Sequence, residues 1–304
     1  MKVTEGFFAT AKWHDDAAKY QCVIDGGDTE RLQLALSLVN EEYHHLECEA
    51  VGATDEQRSF CFQHNKVTEV AILAIHGWTA CPFEMREMGQ HLFQQGFNVF
   101  GVRLAGHGTK VEDFARYGQQ DWERSAQKGL AIAALLGRKV IIVGESMGGA
   151  LAVILAATFP ELVYKISLCA PCLQIADRKA EYSRFRLFRL FMPTVDFGAL
   201  SDWQKRYWYN KIPTKGVAEL LKVARKARRL GPSILSPILM IQATNDQMVN
   251  PKGALQFYYT LTKVIKVNPE EKRLILFEKG HHNLTVDLNP QKNQVIKWIS
   301  EFSD

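Results

Sequence analysis

The segment Lys139-Val-Ile-Ile-Val-Gly-Glu-Ser146-Met-Gly-Gly-Ala-Leu-Ala-Val sets a serine between glycines where an apolar β-branched run gives way to a small-residue helical pattern. That order suits a nucleophile. A sharp strand-to-helix turn lifts the hydroxyl clear of a sheet, the glycines avoid side-chain collisions, and the helix amino terminus sets partial positive charge beside a developing oxyanion. A bare Gly-x-Ser-x-Gly also fits an ordinary helix-capping serine, so the flanking strand and helix patterns carry the reading. A serine hydroxyl is a weak nucleophile at neutral pH; it needs a histidine to take its proton and an acid to fix that histidine's tautomer. Asp246, just past the apolar run 237–242, is the candidate acid, although an Asn-Asp pair also closes turns. His281 and His282 follow the last apolar run, and spacing alone leaves both open as the base. The tight turn His76-Gly77-Trp78 after the run 70–75 offers the peptide N–H of Trp78, which with that of Met147 would hold an oxyanion. The chemistry is acyl transfer through a serine-bound intermediate, for which neither a metal nor an organic cofactor is required.

These residues need a scaffold, and the hydrophobic pattern supplies one. Short apolar runs at 70–75, 98–103, 139–143, 163–169, 237–242 and 273–277 read as strands. Helical patterns at 82–95, 120–136, 146–158, 251–260 and 291–302 separate them. Strand and helix in alternation predict an α/β fold with a mostly parallel central sheet and helices on both faces. Each candidate chemical residue falls just past the end of a strand.

The alternation fails over 171–232, which is expected to be an inserted helical cap. That stretch carries 14 Lys and Arg against 5 Asp and Glu, a net +9, leaving −5 for the rest of a chain whose total is +4. The core is then 69–170 together with 233–304. Residues 1–68 form an amino-terminal extension with a helix expected over 28–45, capped by Asp28, a loop over 47–57 and a strand near 59–63. A chain of 304 residues that is 47% apolar buries roughly three quarters of its unfolded surface, enough for one large core.

No apolar run approaches the roughly 20 residues that cross a bilayer. The six cysteines are scattered and no secretory pattern opens the chain, which predicts a cytoplasmic, thiol-reduced protein, peripheral if it meets a membrane. Cys169-Ala-Pro-Cys172 has the spacing of a redox pair, but the helix that such a pair normally opens resumes only several residues later, and no second pair completes a zinc site.

Taken together, these motifs resemble the bacterial carboxylesterase and monoacylglycerol lipase family of the α/β-hydrolases. The similarity lies in His76-Gly-Trp-Thr-Ala-Cys-Pro-Phe-Glu-Met-Arg86, Arg103-Leu-Ala-Gly-His-Gly-Thr109 with Glu112-Asp113, Asp121-Trp122, Gly144 to Gly149, and Asp246 to Pro251, and runs from about residue 70 to the end. The resemblance implies an α/β-hydrolase fold and a Ser-His-Asp ester hydrolase. It places the base five residues before an aspartate, which selects His282 ahead of Asp287, and puts Trp78 where an aromatic oxyanion residue stands. The longer region before the first core strand and the different cap composition depart from the compact members. Expected substrates are small-molecule esters or lipids, a monoacylglycerol or a short to medium-chain ester first. A lysophospholipid is the alternative that a cationic cap suits. An aminopeptidase would need an acid for the substrate ammonium, and Glu181, Asp202 and Glu219 are the candidates. A non-catalytic interaction or membrane-surface protein on the same fold is the rival of another class.

Within the cap, Arg184-Phe-Arg-Leu-Phe-Arg-Leu-Phe-Met192 spaces Phe185, Phe188, Phe191 and Met192 as a helix would. The economical reading lays these over the core with the arginines in water; the other rests them in a lipid interface, giving peripheral membrane contact through the basic cap. The second basic run, 222–229, reads as a solvated helix face able to attract anions at long range. No nucleic-acid motif accompanies the charge, so nucleic acid is not an expected partner.

Overall fold

The computed structural model describes residues 27–49, 54–198, 200–264 and 271–304. The apolar runs form a seven-stranded sheet of β1 (Phe60–Phe62), β2 (Thr68–Ile75), β3 (Asn98–Val102), β4 (Gly137–Glu145), β5 (Val163–Cys169), β8 (Ile238–Ala243) and β9 (Lys272–Phe277). Strands β6 and β7 belong to the insertion described below. The spatial order is β1-β3-β2-β4-β5-β8-β9, and β1 alone runs antiparallel to its neighbour. Every residue of β3 and β8 is buried, as expected of strands covered on both faces.

The covering helices are α2 (Phe83–Gln94), α4 (Gln119–Leu136), α5 (Met147–Thr158), α9 (Pro251–Val264) and α10 (Lys292–Ser303), with one turn, α3 (Val111–Phe114), between β3 and α4. Core strands and helices lie within two residues of their expected bounds, except α9, which continues to Val264. The chain leaves β2 for β3 on one side, then crosses back to β4 on the other. That reversal opens a crevice at the carboxyl ends of β2 and β4, the switch point where ligands of such sheets bind. Pairing of Ile75 with Gly144, Glu145 with Cys169 and Ala243 with Phe277 brings the strand ends level, so the loops beyond them converge.

Helix α1 (Asp28–Glu49) adds a layer outside α4. It buries Ala35, Leu38 and Val39, and Arg31 Nη2 donates to the carbonyls of Ala134 (2.7 Å) and Gly137 (3.0 Å), serving carbonyls that the end of α4 leaves open. Two expectations are corrected here. The Gly27 carbonyl accepts from Arg31 N, so Asp28 lies inside the first turn rather than capping it, and its carboxylate pairs with Arg138 at 2.8 Å. The expected loop over 47–57 is helical to Glu49, because Glu47 and Glu49 are themselves adequate helix formers. A 3-10 turn follows at Asp55–Gln57, and residues 50–53 lie outside the described ones.

The insertion between β5 and β8 holds a 3-10 segment (Arg178–Arg184), α6 (Arg186–Phe191), β6 (Thr194–Asp196), α7 (Asp202–Tyr207), β7 (Lys211–Pro213) and α8 (Thr214–Leu230), with β6 and β7 paired antiparallel. Helix α8 seats Val217, Leu220, Val223, Ala224 and Ala227 inward and packs on α5, an apolar stripe at helical spacing. Its basic face is largely tied down. Lys222 pairs with Glu219 (2.6 Å), Arg225 with Glu181 (2.5 Å) and Lys226 with Glu123 (2.7 Å).

The aromatic run departs from the economical reading. Phe191 is 80% exposed, and Phe185 and Met192 are also exposed; Phe188 turns into the cavity described below. The physical reason is length. Helix α6 has six residues, and Phe185 (φ −82°, ψ 125°) and Met192 (φ −126°, ψ 76°) flank it in non-helical conformations, so helical spacing puts no common face under them. Upstream, the segment 174–176 is stitched to the loop after β8: Ile175 bridges Val249, Ala176 N donates to Met248 O (3.0 Å) and Asn250 N donates to Gln174 O (2.8 Å).

Candidate active site

Ser146 sits between the last residue of β4 and the first of α5, with φ 52° and ψ −112°. A positive φ is unfavourable for a residue with a Cβ and is held only where surroundings over-determine it. Here they do. Ser146 N donates to Cys169 O (2.8 Å), and Ser146 O accepts from Cys172 N (2.8 Å) and Ala150 N (3.2 Å). Gly148 is required because a Cβ there would stand 2.1 Å from the backbone oxygen of Ile75. The Cys-x-x-Cys segment thus clamps the serine through its backbone. Both thiols are buried and free; burial pushes Cys172 up to about 12 and Cys169 well above the usual thiol range, the opposite of a reactive thiolate.

The turn after β9 delivers His282, whose Nε2 lies 2.9 Å from Ser146 Oγ and whose Nδ1 lies 2.7 Å from Asp246 Oδ2. An ionised carboxylate only accepts, so Nδ1 carries the proton and Nε2 is free to take one from the hydroxyl. Asp246 receives three further donors: Gln242 Nε2 (3.1 Å), Met248 N (2.8 Å) and Val249 N (3.1 Å). Burial pushes this carboxyl up. The hydrogen bond and charge of His282 and the two backbone N–H groups overcome that and hold it below the usual aspartate range. His281 points elsewhere: its Nδ1 accepts from Asn283 N (3.1 Å) and its ring tilts over Trp208.

Ser146 and His282 open into a cavity of about 700 Å³ walled by Trp78, Phe188, Phe197, Val217 and Met248 among others, so core and cap share it. Met147 N opens α5, where the first N–H groups have no partner within the helix, and Trp78 follows the β2 turn across the crevice. The five residues singled out from sequence are therefore brought together. The arrangement can move a proton from Ser146 to His282 with Asp246 fixing the ring. Among the described residues no group of three or more His, Cys, Asp or Glu side chains could hold a metal ion.

His76 and His107 lie behind the cavity, fully buried. His76 Nδ1 donates to Gly77 O (2.8 Å) and its Nε2 accepts from Leu104 N (3.1 Å). Burial, with help from Arg103 and against the Gly77 bond, pushes His76 down to about 3, and His107 falls well below the usual histidine range for the same first reason. The unfolded chain takes a proton on His76 near 6.5 and the folded chain only near 3, so the neutral ring's stabilisation is full above 6.5 and is lost as pH falls toward 3. Urea titrations from about pH 6 to about pH 4 should therefore show a shallower slope of folding free energy for His76→Gln than for the parent, by as much as ~1.4 kcal/mol per pH unit. Parallel slopes would count against a buried neutral His76.

Four partners of the site escaped the sequence reading. Gln242 has just been described. Glu84, on α2, accepts from Gly77 N (2.6 Å) and from Asn283 Nδ2, while Glu145, the residue before Ser146, accepts from Leu284 N (2.7 Å) and Thr285 Oγ1 (2.7 Å). The one available signal was a pair of carboxylates inside otherwise apolar motifs.

With the geometry in place, comparison with known proteins gives a consistent result. Residues 67–289 match the family model described as "Serine aminopeptidase, S33". The chain is 24% identical over 233 residues to the thermostable monoacylglycerol lipase of Bacillus sp. (strain H-257), covering 77% of this chain and 90% of that protein. It is 25% identical over 237 residues to the carboxylesterase of Bacillus subtilis (strain 168), covering 76% and 91%. Among solved structures, one from a study of the metagenome-derived lipolytic enzymes LipS and LipT superposes with a TM-score of 0.72 at 22% identity, covering 83% of this chain and 98% of that one. That likeness establishes the α/β-hydrolase fold.

Proposed function

Because the chain belongs to the Hydrolase_4 family, serine aminopeptidase S33, we propose that it is a serine hydrolase of carboxylic esters, with a monoacylglycerol or a simple acyl ester as substrate. The observation that carries this reading is the unbroken hydrogen-bonded line from Ser146 Oγ through His282 to Asp246 on the floor of an apolar cavity. Ser146 attacks the ester carbonyl as His282 takes its proton, and Asp246 orients the imidazolium. The N–H groups of Trp78 and Met147 receive the oxyanion; protonation of the leaving alcohol frees the acyl-enzyme, and water repeats the sequence to release the acid.

An ester fits this cavity better than an aminoacyl amide. Glu181 is paired with Arg184 and Arg225, Asp202 with Lys205, and Glu219 with Lys222, which leaves the acids singled out for a substrate ammonium already neutralised. A serine-reactive phosphonate should label Ser146, and a panel of monoacylglycerols, acyl esters, lysophospholipids and aminoacyl amides should show ester preference. Absence of labelling with no ester turnover would sink the reading; preference for the amides would move it to a peptidase.

The cap adds a proposal about where the substrate is met. Leu187, Leu190 and Phe191 are 66%, 70% and 80% exposed on α6, beside Arg186. Each stands to gain about 1.5–3 kcal/mol on full burial, so even partial insertion into a lipid surface supports attachment. Replacing all three with serine should weaken co-sedimentation with anionic phospholipid vesicles by about tenfold or more, while turnover of a soluble short-chain ester stays near the parent value. Unchanged co-sedimentation would refute contact through α6.

A further inference from the structure

We propose that Glu84 is a positioning residue of the reaction, a buried strut that joins the oxyanion turn to the histidine loop, with Glu145 completing the link from the nucleophile side. This rests on the reading of Ser146, His282 and Asp246 given above. The geometry is direct. One carboxylate oxygen of Glu84 accepts the N–H of Gly77, next to the oxyanion donor Trp78, and the other accepts from Asn283, next to His282. Glu145 adjoins Ser146 in the chain and reaches Leu284 N and Thr285 Oγ1 of the same histidine loop. Gly77 itself packs between the two: a Cβ there would stand 3.1 Å from Glu84 Oε2 and 3.4 Å from Ser146 Cβ. Three segments that must be in register for acyl transfer are thus tied by two side chains, from β4 and α2, that touch no substrate.

Burying two carboxyls is unfavourable unless their hydrogen bonds compensate the lost hydration. Both are fully buried: Glu84 is 1% exposed and Glu145 not at all. The groups facing them are Cys81, Cys169, His282 and each other among titratable side chains, with the N–H groups of Gly77 and Leu284, the Asn283 amide and the Thr285 hydroxyl as donors. Burial pushes Glu84 up to about 6, opposed by its Gly77 and Asn283 bonds and by His282. Burial and then the charge of Glu84 push Glu145 well above the usual range. Thr285 Oγ1 lies within hydrogen-bond reach of both Glu145 Oε2 (2.7 Å) and the Glu84 carbonyl (3.2 Å), so the histidine loop touches both residues through one hydroxyl. Glu84 also lies close enough to His282 for the histidine's charge to favour its ionised form.

The test compares Glu84→Gln, Glu84→Leu, Asn283→Ala and the Glu84→Leu/Asn283→Ala double variant on a soluble ester. Glutamine keeps an oxygen for Gly77 N, and Asn283 can turn its unpartnered Oδ1 toward the new amide, so Glu84→Gln should hold KM and retain most of kcat. Its acid limb should lose the titration step near 6 that Glu84 supplies. Glu84→Leu should lower kcat by about 100-fold with KM within about threefold, the signature of lost transition-state alignment rather than lost binding. The double variant should be no worse than Glu84→Leu alone, because the two side chains act through one bond. Wild-type kcat in Glu84→Leu, parallel changes in kcat and KM, or additive losses would overturn the proposal. Should Glu84→Leu fail to fold, Asn283→Ala decides: a loss of kcat of about tenfold at constant KM supports the strut, and wild-type kcat refutes it. If Glu84 variants behave as wild type while Ser146→Ala is dead, the strut alone falls; if Ser146→Ala turns over ester, the functional reading falls with it.

Discussion

Ser146→Ala should lower kcat for ester turnover by about 10⁴- to 10⁶-fold while the protein stays folded, since loss of a triad nucleophile leaves only oxyanion binding and proximity. Alanine keeps the Cβ and therefore the strained backbone at φ 52°. Glycine does not. Ser146→Gly should be equally inactive yet more stable than Ser146→Ala by about 1–3 kcal/mol, the usual strain of such a conformation. Kinetics with an active-site titrant, alongside thermal melts of both variants, separates the two effects. Measurable turnover above a hundredth of the parent rate in Ser146→Ala would remove the serine from the chemistry, and equal melting temperatures would show that the elbow stores no strain.

His282→Ala should be as damaging as the serine change, about 10⁴- to 10⁶-fold in kcat, because an unassisted hydroxyl is a poor nucleophile and nucleophile and base act as a unit. His281→Ala should cost less than about tenfold, and mainly in KM, because its ring lines the cavity against Trp208 without reaching Ser146. The double variant Ser146→Ala/His282→Ala should be no slower than either single one. A fully active His282→Ala protein would return the base to His281; additive losses would mean the two residues do not share a step.

How far these residues could be read without coordinates follows from what kind of order each expresses. Core strands and helices repeat with periods near two and 3.6, and burial on a parallel sheet makes those periods strong, so apart from the end of α9 their placement from 68 onward was legible to within a residue or two. Ser146 and Asp246 were legible because each sits at a strand end whose chemistry demands it. Spacing alone left His281 and His282 open, since adjacent side chains on a turn diverge; the resemblance selected His282 by its distance from Asp287, and His282 is the one whose Nε2 lies 2.9 Å from Ser146 Oγ. Glu84 and Asn283 bond across 199 positions of chain, and a contact of that separation between lone polar residues leaves no period to detect. The cap was opaque for a related reason. Its elements are three to seven residues long apart from α8, too short for a repeat, so Phe191 and Phe188 look equivalent in sequence and face opposite environments.

The bridge between Ile175 and Val249 ties the first residues of the cap to the same loop whose N–H groups at Met248 and Val249 grip Asp246. The roof of the cavity is therefore geared to the acid beneath it. Met248 and Val249, which hold 174–176, are also two of the donors that together with His282 keep the carboxylate low, so the roof and the acid share one set of contacts. Exchanging this roof for that of a relative would change the turnover chemistry together with the choice of acyl chain, unless the three hydrogen-bonded residues at its hinge were carried over with it.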